Sequence, residues 1–173
     1  MRMRRAILLT GASLAWAMVI SIGSGSAVVQ TSSLCGKGEK VVFSCALKNS
    51  TKTVSLCSSP KLSKTEGYMQ YRFGLPGKIE LEYPKDRSTP EQAFHYNHYF
   101  RAQVDLTEIS FSIDGYSYTV FDNFNGEEKP AISAQGLTVT RPNSEKDVTY
   151  ACRGRAKVDF GALPEVLVND SSP

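Results

Sequence analysis

The sequence predicts an all-β fold, an antiparallel sandwich or barrel of about eight short strands held by two disulfides. Three observations carry this. Apolar and polar side chains alternate with a period of two over much of residues 41–152. Beyond the first 27 residues no long stretch has helical periodicity. Four cysteines, Cys35, Cys45, Cys57 and Cys152, stand in a chain that opens like an exported protein.

That opening consists of Arg2, Arg4 and Arg5, an apolar stretch over residues 6–22, and Gly23-Ser24-Gly25-Ser26-Ala27, the small-residue pattern an export peptidase needs. Residues 1–27 are expected to be a signal peptide cleaved after Ala27. Residues 28–173 are then one β domain outside the cytoplasm, periplasmic or secreted, with no membrane anchor. A spanning anchor would continue apolar where Gly and Ser stand, and a lipid anchor needs a small residue before Cys35, where Leu34 stands. Cleavage removes three Arg, so 20 Lys and Arg become 17, against 17 Asp and Glu. A net charge of zero takes away the main support for nucleic-acid binding. Gly23-Ser24-Gly25 leaves with the signal and has no preceding strand, so it is not a phosphate loop.

The elements follow in order. Val41, Phe43, Cys45 and Leu47 share one face of a first strand, and residues 48–52 make a polar turn. In the next strand Val54 and Leu56 face one way and Cys57 the other. Met69, Tyr71 and Phe73 form a stripe that Gly74-Leu75-Pro76-Gly77 breaks; Ile79, Leu81 and Tyr83 form another, ended by Pro84. Residues 84–92, charged and with two prolines, read as a loop. The firmest local feature is a hairpin: Ile109, Phe111 and Ile113 alternate with Ser, Asp114-Gly115 suits a two-residue turn, and Tyr116, Tyr118 and Val120 resume. The register pairs Ile113 with Tyr116, Phe111 with Tyr118 and Ile109 with Val120. Residues 122–130 read as a loop. Leu137 and Val139 begin a strand, and Val148, Tyr150 and Cys152 return. After Gly161 the pattern weakens, and Val166-Leu167-Val168 either docks or frays.

Alternation also orders the cysteines. Cys45 and Cys152 fall on inward faces, whereas Cys57 lies opposite Val54 and Leu56. A regular hairpin therefore disfavours Cys45–Cys57, and the expected bonds are Cys45–Cys152 and Cys35–Cys57.

The segments Cys35-Gly-Lys-Gly-Glu-Lys-Val-Val-Phe-Ser-Cys45, Thr53-Val-Ser-Leu-Cys57 and Tyr71-Arg-Phe-Gly74 resemble segments of small exported bacterial proteins of unassigned function, over roughly residues 35–152. The resemblance implies a bacterial, extracytoplasmic protein and brings no catalytic residue with it. The plan, a small exported β domain with Cys near both ends, is also similar to periplasmic lysozyme inhibitors. Those use a Ser-Gly-x-Tyr loop; here Asp114-Gly115-Tyr116-Ser117-Tyr118 departs at the Ser and in the Tyr spacing.

No catalytic constellation emerges. His95 and His98 are an odd number of residues apart and point to opposite faces of a strand, which disfavours a shared metal. No Gly-x-Ser-x-Gly follows the signal, Gly115-Tyr116-Ser117-Tyr118-Thr119 lacks the last Gly, and paired cysteines supply no thiol. Glu80 and Glu82 share a face, as carboxylates on solvated sheets often do. Asp122-Asn123-Phe124-Asn125-Gly126-Glu127-Glu128 has Phe121 where a calcium loop needs its first carboxylate, so it reads as an acidic turn. No cofactor or metal is expected. Charge is divided: residues 28–101 carry 11 basic and 6 acidic side chains, residues 102–140 carry 1 and 6. Of the 16 Phe and Tyr, 9 lie in residues 94–124. This pattern points to a non-enzymatic binding protein for a cationic protein, in its most specific form an inhibitor of a cationic extracellular enzyme. Asp114, Gly115, Tyr116, Tyr118 and Asp122 are the candidate contacts. The rival classes are a carboxylate-dependent cell-wall hydrolase and a structural envelope component. Nothing in the sequence sets the oligomeric state.

Overall fold

The computed structural model describes residues 33–87, 89–144 and 146–170; the expected signal segment lies outside them. Ten strands lie among these residues: β1 (Lys40–Ala46), β2 (Thr53–Ser58), β3 (Met69–Leu75), β4 (Lys78–Tyr83), β5 (His95–Arg101), β6 (Val104–Ile113), β7 (Tyr116–Asn125), β8 (Ile132–Thr140), β9 (Asp147–Ala151) and β10 (Lys157–Val158). One short helix, α1, spans Leu163–Val166. The strands form two antiparallel five-stranded sheets, β10-β1-β2-β3-β4 and β5-β6-β7-β8-β9. Their facing sides pack into a sandwich, the first of the two expected architectures, with ten strands where about eight were expected.

The core follows the alternation. Phe43, Val54, Leu56, Met69 and Tyr71 come from the first sheet, and Ile109, Phe111, Val120 and Leu137 from the second, all at most 2% exposed. Phe111 is the hub of an aromatic group, with ring centroids 4.7 Å from Tyr71, 5.1 Å from Tyr83 and 5.2 Å from Tyr118. Cys45–Cys152 joins β1 to the end of β9, and Cys35–Cys57 ties the segment before β1 to β2. Both pairings are the expected ones.

Bulges correct two of the expected stripes. The ladder slips between Val41 and Phe43, so Val41 pairs with Cys57 and turns away from Phe43. A second slip opposite Phe73 and Gly74 leaves Ile79 46% exposed, while Leu81 and Tyr83 pack inward. The expected loop over 122–130 begins later, because β7 continues to Asn125 on a partner, β8, that starts at Ile132. The C-terminal segment docks. Leu163, Val166 and Leu167 are 1–2% exposed, and Asn169 bridges to Tyr96 along the edge of β5.

Among the described residues no helix is long and apolar enough to cross a membrane.

Candidate functional site: an acidic, aromatic cleft at one end of the sandwich

The inward face of the second sheet can be read as rows of cross-strand neighbours. Tyr96, Ile109, Val120 and Leu137 form one row, at most 3% exposed. The next is His98, Thr107, Asp122 and Gln135, and the one after it Phe100, Asp105, Phe124 and Ser133. Cover falls away along this series: Phe124 is 43% and Phe100 72% exposed. The strands of the second sheet are thus longer than the apolar face that the first sheet covers, and His98, Thr107, Asp122, Asp105 and Phe124 of the last two rows line a cleft, with Phe100 exposed beside it.

Phe160, Gly161 and Pro164, from the segment that docks α1, line the same cleft, whose volume is about 330 Å3. Asp122 and Phe124 also line a neighbouring cavity of about 800 Å3, bounded by Gln135, Gly154 and Arg155 where β9 ends short of β8. Cross-strand pairing places Asp105 between Phe100 and Phe124, and Asp122 diagonal to Asp105. His98 Nε2 lies 2.9 Å from Asp105 Oδ1, and Gln135 Nε2 donates to Asp122 Oδ1 at 2.8 Å. The Gln135 side-chain oxygen in turn accepts from the Ala156 amide at 2.8 Å, so one residue holds both a carboxylate and the segment that leads into β10. Burial first, and then the Asp105 carboxylate, push the Tyr96 hydroxyl above its ordinary pKa. The result is a concave surface that sets the rings of Phe124 and Phe160 beside the carboxylates of Asp105 and Asp122, a composition suited to a guanidinium or ammonium group.

The structure separates the candidates drawn from the sequence. Asp114 and Gly115 form the expected tight turn, with φ of 51° and 79°, and the hairpin register is the expected one. Asp114 and Tyr116 are exposed at that tip, where Asp114 lines a groove with Glu82, Pro84 and Asp86. Tyr118 is not part of the tip: its ring stacks on Phe111 and reaches Tyr71, with centroids 6.0 Å apart. Asp122 lies six residues beyond Tyr116, about 20 Å along the strand at the usual rise, in the cleft at the other end. One compact contact therefore cannot use all five residues.

The weaker candidates also find their places. His95 and His98 face opposite sides of β5 and engage different carboxylates, Asp170 and Asp105. Glu80 pairs with Lys52, and Glu82 with Arg72, which it shares with Glu39, so both carboxylates are engaged by cations. Asp122 to Asn125 belong to β7, which rules out a calcium loop there. Sequence reasoning missed Phe100, Phe124 and Phe160. The clustering of aromatics and acids over 94–128 was the signal for Phe100 and Phe124, but only the order β5-β6-β7 sets them on either side of Asp105, and Phe160, outside that cluster, had no such signal.

Comparison with known proteins adds no relative: no family model, curated protein or solved structure matches the chain.

Proposed function

We propose that the chain is an exported, non-enzymatic binding protein whose cleft takes a cationic group from a protein partner, in its most specific form a cationic extracellular enzyme that it inhibits. Asp105 and Asp122, which line the cleft beside Phe124 and Phe160, carry this reading. An exposed cation–π contact contributes about 0.5–1 kcal/mol, and an exposed ion pair about as much. Several such contacts converge on one group here, and charge complementarity also speeds encounter. The two disulfides support export, since such bonds persist in oxidising compartments.

Titration of the protein with an arginine-containing peptide and with a cationic lysozyme tests the reading. Asp105→Asn, Asp122→Asn and Phe124→Ala should each weaken binding several-fold, and added salt should weaken it further. Asp114→Lys and Tyr116→Ala at the opposite end should leave it unchanged. If the tip variants abolish capture and the cleft variants do not, the contact belongs to the hairpin turn. Turnover of a cell-wall fragment that is lost in Asp105→Asn would favour the hydrolase.

A further inference from the structure

Two sheets have four edges, and β10, β4 and the first half of β5 are protected. β10 is two residues long. β4 carries Lys78, Glu80 and Glu82 and a ladder irregularity, features that discourage pairing. β5 is covered between Tyr96 and His98: the Asp170 amide donates to the Tyr96 carbonyl, and the Asn169 side chain bonds both the amide and the carbonyl of His98.

β9 is different. Its five residues are all exposed and include no Lys, Pro or bulge. The Cys152 amide donates inward to Gln135, whereas the Ala151 carbonyl points outward and accepts from the Lys48 amide. With a period of two, the amides and carbonyls of Asp147 and Thr149 also point outward. Among the described residues they have no hydrogen-bond partner. Beside them Val148 and Tyr150 are 39% and 43% exposed.

The geometry points to a second copy of this chain as the occupant of this edge, paired antiparallel through β9 about a two-fold axis at Val148. This register uses only free groups. Asp147 and Thr149 of one copy exchange hydrogen bonds with Thr149 and Asp147 of the other. Val148 meets Val148 on one face, and Lys146 of each copy lies across from Tyr150 of the other, a cation–π arrangement. Centring the pair on Thr149 instead would bring in Ala151, whose carbonyl Lys48 already occupies. A short edge buries less than a standard interface, so association is weak. The two second sheets become one ten-stranded sheet, and the acidic clefts lie outside the contact.

Sedimentation of the exported protein over rising concentration should show a shift to twice the monomer mass. Thr149→Pro removes an outward donor without touching the ladder to β8, and Val148→Lys sets like charges face to face; each should keep the protein monomeric while its circular dichroism stays native. Val148 and its copy form a non-hydrogen-bonded pair, with Cα atoms about 4.5 Å apart, within disulfide range. Val148→Cys should therefore cross-link on mild oxidation and Thr149→Cys should not. A single monomeric species up to about 1 mM, or equal cross-linking by both cysteine variants, would overturn the proposal. Neither result depends on what the cleft binds.

Discussion

Arg72 is 5% exposed on the side of the first sheet that faces away from the core. It is buried because residues 33–39, tied down by Cys35–Cys57, lie over that side. Its guanidinium holds Glu39 through two nitrogens, Glu82 through Nε at 2.7 Å, and the Gln70 side chain at 2.8 Å. Ser44 and Ser55, both fully buried, bond each other beside it. Such a pair adds little net stability as a unit, but breaking it leaves a buried charge without a partner. Arg72→Met should therefore cost about 3–5 kcal/mol in urea unfolding, and pairing it with Glu39→Leu should restore much of the loss. Burial alone would raise the pKa of Glu39. Hydrogen bonds from Arg72, the Gly36 amide and Tyr68 outweigh that and bring it down to about 2. A carboxylate lowered in this way stabilises the fold above its unfolded pKa. That stability, on the order of 3 kcal/mol, should drain as the pH falls from about 4.5 towards about 2. Acid titrations of the native protein and Glu39→Gln should converge at the low end; parallel curves would place the acid-labile group elsewhere.

At the scale of elements, two glycines of the second sheet separate two kinds of constraint. Gly115 has a φ of 79° in the hairpin turn, and an added Cβ would lie 3.3 Å from the Pro142 ring. Gly136 has ordinary strand geometry but no room: its Cβ would lie 2.3 Å from the Tyr150 carbonyl oxygen and 3.0 Å from the tip of Phe121. The ring of Phe121 thus covers the gap in β8 that the glycine leaves. Gly115→Ala should cost about 1 kcal/mol through backbone strain, and Gly136→Ala about 2–3 kcal/mol through overpacking between β8 and β9. Amide exchange should rise over residues 147–151 in the second variant alone. The hairpin itself was legible because turn chemistry and alternation give the same register. The faces of Val41 and Ile79 were not: each bulge adds one residue to one strand, and nothing in a single strand's sequence announces which position its partner will skip.

For the whole molecule, the long-range bond Cys45–Cys152 closes 107 residues and joins the sheets, whereas Cys35–Cys57 closes 22 and holds down a covering segment. Chain-entropy arguments assign about 4.7 kcal/mol to a loop of the first size and about 3 kcal/mol to one nearer the second. Replacing Cys45 and Cys152 together by Ser should lower the urea midpoint more than replacing Cys35 and Cys57; the reverse order would mean that the covered Arg72 site, not the joint between sheets, dominates stability. Removing residues 163–173 should uncover the core beneath Leu163, Val166 and Leu167, take Pro164 out of the cleft lining and release the Phe160 segment beside it. Binding of a cationic probe should then fall together with the thermal midpoint, whereas Asp122→Asn should lower binding alone.

The all-β class, the hairpin register and the directions in which Cys45, Cys57 and Cys152 face were readable from the residues alone, because these are properties of period and turn chemistry that neighbouring residues settle among themselves. The disulfide pairing followed from those directions. That the sheets form a sandwich, that Tyr118 packs against its core, and that Asp122 joins Asp105, Phe124 and Phe160 in a cleft far from Asp114 came from the packing of the sheets. The reason is cover. Alternation says which side chains share a face, but whether a row of that face is core or cleft depends on how far the opposite sheet reaches over it, and on where Phe160 and α1 come to rest.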